Sequence, residues 1–132
     1  MPNKPHSNST EKRTPNPYFY LKQVVGDYME CKLTADQLNS PEFLRKHVEE
    51  AVKRSNTSTV KELEHKFDPQ GYTLLIILAD SSLSLHSWPE EKFISVEIFT
   101  CAERATPELG LEYLKTVFQP KKFKIHYIKR EQ

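Results

Sequence analysis

Two hydrophobic periods organise this 132-residue chain. From Ser82 to His86 polar and apolar residues alternate: Leu83 and Leu85 share one side, while Ser84, His86 and, further on, Trp88 share the other. Successive strand side chains point to opposite faces, so the pattern predicts a half-buried strand, broken at Trp88-Pro89. Phe93–Cys101 alternates likewise, with Ile94, Val96 and Ile98 against Phe93, Ser95, Glu97, Phe99 and Cys101. Tyr72–Ala79 is apolar on both faces and predicts a central strand. Tyr18–Cys31 predicts the first strand, with a bulge at Gly26. Ser58–Phe67, mostly polar, predicts an edge strand, followed by a tight turn at Asp68-Pro69-Gln70-Gly71. Lys122–Ile128 predicts the last strand, with Phe123, Ile125 and Tyr127 inward.

The helical period appears twice. Ser40-Pro41-Glu42 and Thr106-Pro107-Glu108 each join a capping hydroxyl, a proline at the first helical position and an acid near the positive helix end. Phe43, Leu44, His47, Val48, Ala51 and Val52 make the apolar face of the first helix, which ends near Arg54. Leu111, Leu114, Val117 and Phe118 make that of the second, stopped at Gln119-Pro120. Thr34–Ser40 reads as a connection. The order strand, helix, four strands, helix, strand predicts an α+β two-layer sandwich: a mostly antiparallel sheet with two main helices on one face. The helices should cover Leu83, Leu85, Ile94, Val96 and Ile98. Ser84, His86, Trp88, Glu97 and Cys101 then occupy the opposite face, as a wet surface, a dimer interface or a site.

Composition narrows the function classes. Residues 1–17, rich in proline and asparagine, predict a disordered N-terminal tail; residues 18–132 suffice for one domain. A net charge of +1 gives no electrostatic case for nucleic acid or a membrane surface. The longest apolar run, Leu74–Ala79, is too short to span a bilayer, and the polar N-terminus does not read as a secretory signal. Cys31 and Cys101 make no disulfide framework and have no metal-ligand spacing, and His6, His47, His65 and His126 match no metal motif. The expectation is a reduced, cytoplasmic protein without a metal. Taken singly, Ser81 reads as a turn residue, His86 as an ordinary strand histidine and Cys101 as a small buried residue.

Together they form a motif. Asp80-Ser81-Ser82, three residues, His86-Ser87-Trp88-Pro89-Glu90, then Phe99-Thr100-Cys101-Ala102 resembles the core of the small prokaryotic S-adenosylmethionine decarboxylases, over about Tyr20 to Ile128. That family usually reads Glu-Ser-His, three residues, His-Thr-Trp-Pro-Glu, then Phe-Thr-Cys-Gly. Asp80, Ser82 and Ala102 depart from it, as does Thr73 where serine is usual.

The resemblance implies a proenzyme that makes its own pyruvoyl group, with no pyridoxal phosphate and no metal. Cleavage falls between Asp80 and Ser81. The Ser81 hydroxyl attacks the preceding carbonyl to give an ester, whose elimination leaves dehydroalanine and, after hydrolysis, the pyruvoyl ketone. The ketone then condenses with the substrate amine and holds the electrons released with carbon dioxide. His86 matches the histidine that aids the elimination, Thr73 the processing hydroxyl and Cys101 the acid that returns a proton to the substrate. Phe67 and Trp88 match pocket aromatics, and Glu90 a polar substrate contact. The implied substrate is S-adenosylmethionine, for spermidine synthesis, and the implied assembly a homodimer of processed protomers paired through their sheets. Two other readings stay open: a pyruvoyl decarboxylase of a basic amino acid such as ornithine or arginine, and an uncleaved, non-catalytic homologue that binds or regulates a partner.

Overall fold

The computed structural model describes residues 13–128 and residue 130. Its strands are β1 (Lys22–Cys31), β2 (Thr59–Lys66), β3 (Tyr72–Leu78), β4 (Ser81–Trp88), β5 (Phe93–Thr100) and β6 (Pro120–Ile128). Its helices are α1 (Ala35–Leu38), α2 (Pro41–Arg54) and α3 (Pro107–Phe118). The strands form one sheet in the order β2-β3-β4-β5-β1-β6, with antiparallel pairing throughout. The expected α+β sandwich is what forms.

Alternation decides which face is covered. Val24 and Tyr28 of β1, Leu83 and Leu85 of β4, and Ile94, Val96 and Ile98 of β5 are buried together with Leu44, Val48, Leu111, Leu114 and Phe118 of the helices. Ser40 caps α2 as expected, its Oγ accepting from the Phe43 N–H at 3.1 Å. Thr106 does not cap α3 through its side chain: its hydroxyl donates to the Arg54 carbonyl at 3.2 Å, tying the start of α3 to the end of α2. The two helices touch closely at Gly110, where an added Cβ would lie 2.2 Å from Ser55 Oγ and 2.8 Å from the Ala51 carbonyl oxygen. A helical Gly→Ala change ordinarily gains up to about 1 kcal/mol. Here the backbone oxygen cannot yield, so Gly110→Ala should instead destabilise by about 1–3 kcal/mol, read as a lower urea midpoint.

Several elements differ from the sequence reading. Residues Pro17–Phe19 form a 3-10 turn, so β1 starts at Lys22. Gly26 is not a bulge; it pairs regularly with Val96 and Ile125. Its missing side chain makes room for the Tyr28 side chain, whose hydroxyl a Cβ would meet at 3.0 Å and whose ring at 3.2 Å. The left-handed residue near the end of β1 is Glu30, with φ 53°. The connection Thr34–Ser40 holds the one-turn α1, closed by a capping box between Thr34 and Gln37. β2 is an edge strand as read, but β3 lies next to it, and its second apolar row, Leu75 and Ile77, is exposed. Tyr127 is exposed because β6 is the other edge. Of the tail read over residues 1–17, residues 1–12 lie outside the described residues.

Candidate active site

Leu78 pairs with Ser81, so β3 and β4 are joined by a two-residue turn, Ala79-Asp80. Asp80 takes φ 57°, a left-handed conformation that a short polar side chain tolerates better than most. Its main-chain oxygen accepts a hydrogen bond from Cys101 Sγ at 2.7 Å. Cys101 therefore does not lie on the open sheet face, as its alternation suggested. It sits just beyond β5, buried at the end of the sheet. The Asp80 carboxylate is held on both oxygens, by Arg13 Nε on Oδ1 and by the Thr14 N–H on Oδ2. Beside it, Ser81 Oγ is buried without a hydrogen-bond partner among the described residues. A buried, unpartnered hydroxyl is costly, and it is free to turn on a neighbour.

Burial and the Asp80 hydrogen bond push the Cys101 thiol up to about 11, so it stays a protonated acid at neutral pH. Burial alone would raise the Asp80 carboxyl, but hydrogen bonds from Thr14 and Arg13 outweigh it and hold the group down at about 2. A cavity of about 530 Å³ opens here, lined by Arg13, Leu21, Ile77, Asp80, Ser81, Ser82, Phe99 and Cys101 among others.

A second cluster lies along the same strand. Thr73 opposes His86 across the β3–β4 hairpin, and Thr73 Oγ1 and His86 Nδ1 are 3.0 Å apart. The His86 ring lies 6.0 Å from Trp88, which stacks on Phe93 at 5.2 Å. Phe67, beyond the end of β2, meets His65 at 4.6 Å, and Glu90 is exposed on the 3-10 turn Pro89–Glu91. His86 lies five positions after Ser81 along β4, roughly 16 Å at 3.3 Å per residue, and an odd step puts their side chains on opposite sides. The chain thus brings Asp80, Ser81 and Cys101 together, and separately Thr73, His86 and Trp88, but does not join the two groups.

Residues 22–131 match the family described as S-adenosylmethionine decarboxylase. The chain belongs to the S-adenosylmethionine decarboxylase family. Among its relatives, the S-adenosylmethionine decarboxylase proenzyme of Prochlorococcus marinus is 37% identical over 95 residues, 72% of this chain and 76% of that one. That of Methanococcus aeolicus is 33% identical over 109 residues, 83% of this chain and 92% of its own. The crystal structure of the adenosylmethionine decarboxylase from Aquifex aeolicus superposes with a TM-score of 0.75 at 26% identity, covering 84% of this chain and 90% of that one. AdoMetDC from Trypanosoma brucei, at 20% identity and a TM-score of 0.60, shares the fold over 80% of this chain and 45% of its own.

In this S-adenosylmethionine decarboxylase-family chain, the serine environment fits a prosthetic group made in place: the hydroxyl is buried and unsatisfied, next to a carbonyl already polarised by a donor. Among the described residues no group of three or more His, Cys, Asp or Glu is arranged to hold a metal ion, and no helix is long and apolar enough to cross a membrane. Sequence reasoning missed Arg13 and Thr14, which it left in a solvated tail. Nothing in a polar, proline-rich stretch marks one arginine as a partner for a residue so far along the chain.

Proposed function

We propose that Ser81 is the residue from which this decarboxylase of S-adenosylmethionine makes its pyruvoyl group, by cutting its own chain after Asp80. The observation that carries the reading is a buried Ser81 hydroxyl, without a partner among the described residues, beside an Asp80 carbonyl bonded by Cys101. Attack by Oγ on that carbonyl carbon breaks the C–N bond and leaves an ester; the Cys101 S–H stabilises the negative charge that develops on oxygen. Loss of the Ser81 Cα proton then breaks the Cβ–Oγ bond, and Asp80 departs with a new carboxylate. Hydrolysis consumes one water, releases one ammonia and leaves a ketone on residue 81. No oxidant is needed. The ketone supplies the electron sink for decarboxylation. Cys101, kept protonated by burial, is then the acid that returns a proton to the substrate carbon.

His86 is the base for the Cα proton, and its distance from Ser81 supports a site shared between two copies. The open face supports it too: Leu63, Leu75 and Ile77 are 69%, 44% and 56% exposed there. Such a row suits burial against a second sheet. A two-fold axis running across the strands at the level of Ser84 sets Ser82 over His86 of the other copy, and Asp80 over its Trp88. Trp88 and Phe67 then offer aromatic faces to the purine and sulfonium of the substrate, and Glu90 an exposed carboxylate at the rim. Thr73 orients the His86 ring. The face-to-face homodimer is the working unit, and two free thiols suit a reducing, cytoplasmic setting.

Intact mass of freshly purified protein tests the cleavage: fragments 1–80 and 81–132, summing to the chain plus water minus ammonia, are expected. An unbroken chain after long incubation supports the non-catalytic homologue instead. Carbon dioxide release, measured side by side, is expected from S-adenosylmethionine; release from ornithine or arginine alone moves the substrate class. Because Cys101 touches the scissile carbonyl, Cys101→Ala should slow cleavage by about 10²-fold, the usual loss for one donor to a developing oxyanion, as well as turnover. Cys101→Ser keeps a donor and should cut faster than Cys101→Ala. Time courses on denaturing gels read both.

A further inference from the structure

The segment before β1 does more than lead into the sheet. Arg13 and Thr14 occupy both oxygens of the Asp80 carboxylate, the side chain next to the bond to be cut. The Asp80 side chain is only 4% exposed, whereas that of Arg13 is 86% exposed. An ion pair with one partner so open to water adds little to stability, so its effect must be sought in orientation. The same segment is stiffened by Pro15 and Pro17, and Pro17–Phe19 closes a 3-10 turn through Tyr20 N–H to the Pro17 carbonyl at 2.8 Å. Arg13 and Pro17 also line the cavity that holds Ser81 and Cys101.

We propose that residues Arg13–Pro17 form a clasp that holds Asp80 for self-cleavage, with Arg13 as a positioning residue for that step. The inference rests on the reading that the chain cuts after Asp80. Its logic is electrostatic and geometric. Attack by Ser81 places negative charge on the Asp80 main-chain oxygen, a few bonds from a carboxylate that carries negative charge already. Unpaired, that carboxylate, whose side chain is only 4% exposed, opposes the second charge at close range. Paired with Arg13 it does not. The clasp also fixes the side chain of a residue at φ 57° and so keeps the carbonyl aimed at Cys101. Aspartate suits this duty: one methylene keeps the carboxylate close to the turn, within reach of the Thr14 N–H.

Freshly synthesised full-length chain is followed by denaturing electrophoresis and intact mass, and the first-order rate at which fragment 81–132 appears is compared among variants. Arg13→Ala should cut at least about tenfold more slowly, and Arg13→Lys, which keeps the charge, should recover most of the loss. In an Asp80→Asn background, which removes the charge that Arg13 balances, Arg13→Ala should change the rate by less than about twofold. Thermal midpoints of the same changes, measured in the uncleavable Ser81→Ala chain, should stay close together, because Arg13 is a surface residue. If the wild-type chain cuts and Arg13→Ala cuts equally fast, or its slowing persists in full beside Asp80→Asn, the clasp is rejected while the cleavage stands. If the wild-type chain never cuts, both are rejected.

Discussion

Ser81→Ala should leave the chain in one piece and lower carbon dioxide release to the uncatalysed background. Both effects come from one missing atom. On the proposed route, without Oγ nothing attacks the Asp80 carbonyl, no ester forms and no ketone is made, so the second reaction has no electron sink. The variant also separates chemistry from folding. Ser81 Oγ is buried without a partner among the described residues, and an unsatisfied buried hydroxyl costs about 1–3 kcal/mol. Removing it should therefore leave the unfolding midpoint of Ser81→Ala equal to or above that of unprocessed Ser81 chain. Retained turnover in Ser81→Ala would reject the pyruvoyl mechanism outright. A large loss of stability would instead mean that the hydroxyl has a partner in solution. Intact mass, radiolabelled carbon dioxide release and a urea titration on one preparation read all three outcomes.

The two-layer sandwich was legible because alternation and capping act locally. Leu83, Leu85, Ile94, Val96 and Ile98 fall under the helices, and Ser40 caps α2. What the chain hid was decided by neighbours distant in sequence. Thr106 resembles Ser40, yet the Arg54 carbonyl takes its hydroxyl. Leu75 and Ile77 look like core, but the face they share is the open one. Some signals were present and unused. Thr34-Ala35-Asp36-Gln37 is a capping box spelled out, and it makes the one-turn α1. Likewise, a two-residue turn at Ala79-Asp80 fixes the whole hairpin register: once Leu78 opposes Ser81, counting back sets Thr73 against His86. The Thr73–His86 pair was thus derivable from turn length. The contact between Cys101 and the Asp80 carbonyl needed the pairing of β4 with β5, and the Arg13 contact needed the path of the N-terminal segment.

Mixing two inactive chains tests the shared site. In a Ser81→Ala chain the proposed nucleophile is missing, but its His86 is intact; in a His86→Ala chain Ser81 is intact, but the proposed base is missing. If each site takes Ser81 from one copy and His86 from the other, a dimer of the two variants holds one complete site and one doubly defective site. Random pairing makes half the dimers mixed, so about a quarter of all sites should be complete. Cleavage should then appear only in the His86→Ala chain, which differently tagged copies make visible. The Thr73–His86 contact and the exposed row Leu63, Leu75 and Ile77 face the same way, which suits this arrangement. If size-exclusion and tag pull-down show mixed dimers while cleavage stays at the level of His86→Ala alone, His86 does not act across an interface. If His86→Ala cuts at the wild-type rate by itself, His86 has no part in cleavage. The expected result is rescue that scales with the amount of Ser81→Ala chain added and is lost when that chain also carries His86→Ala.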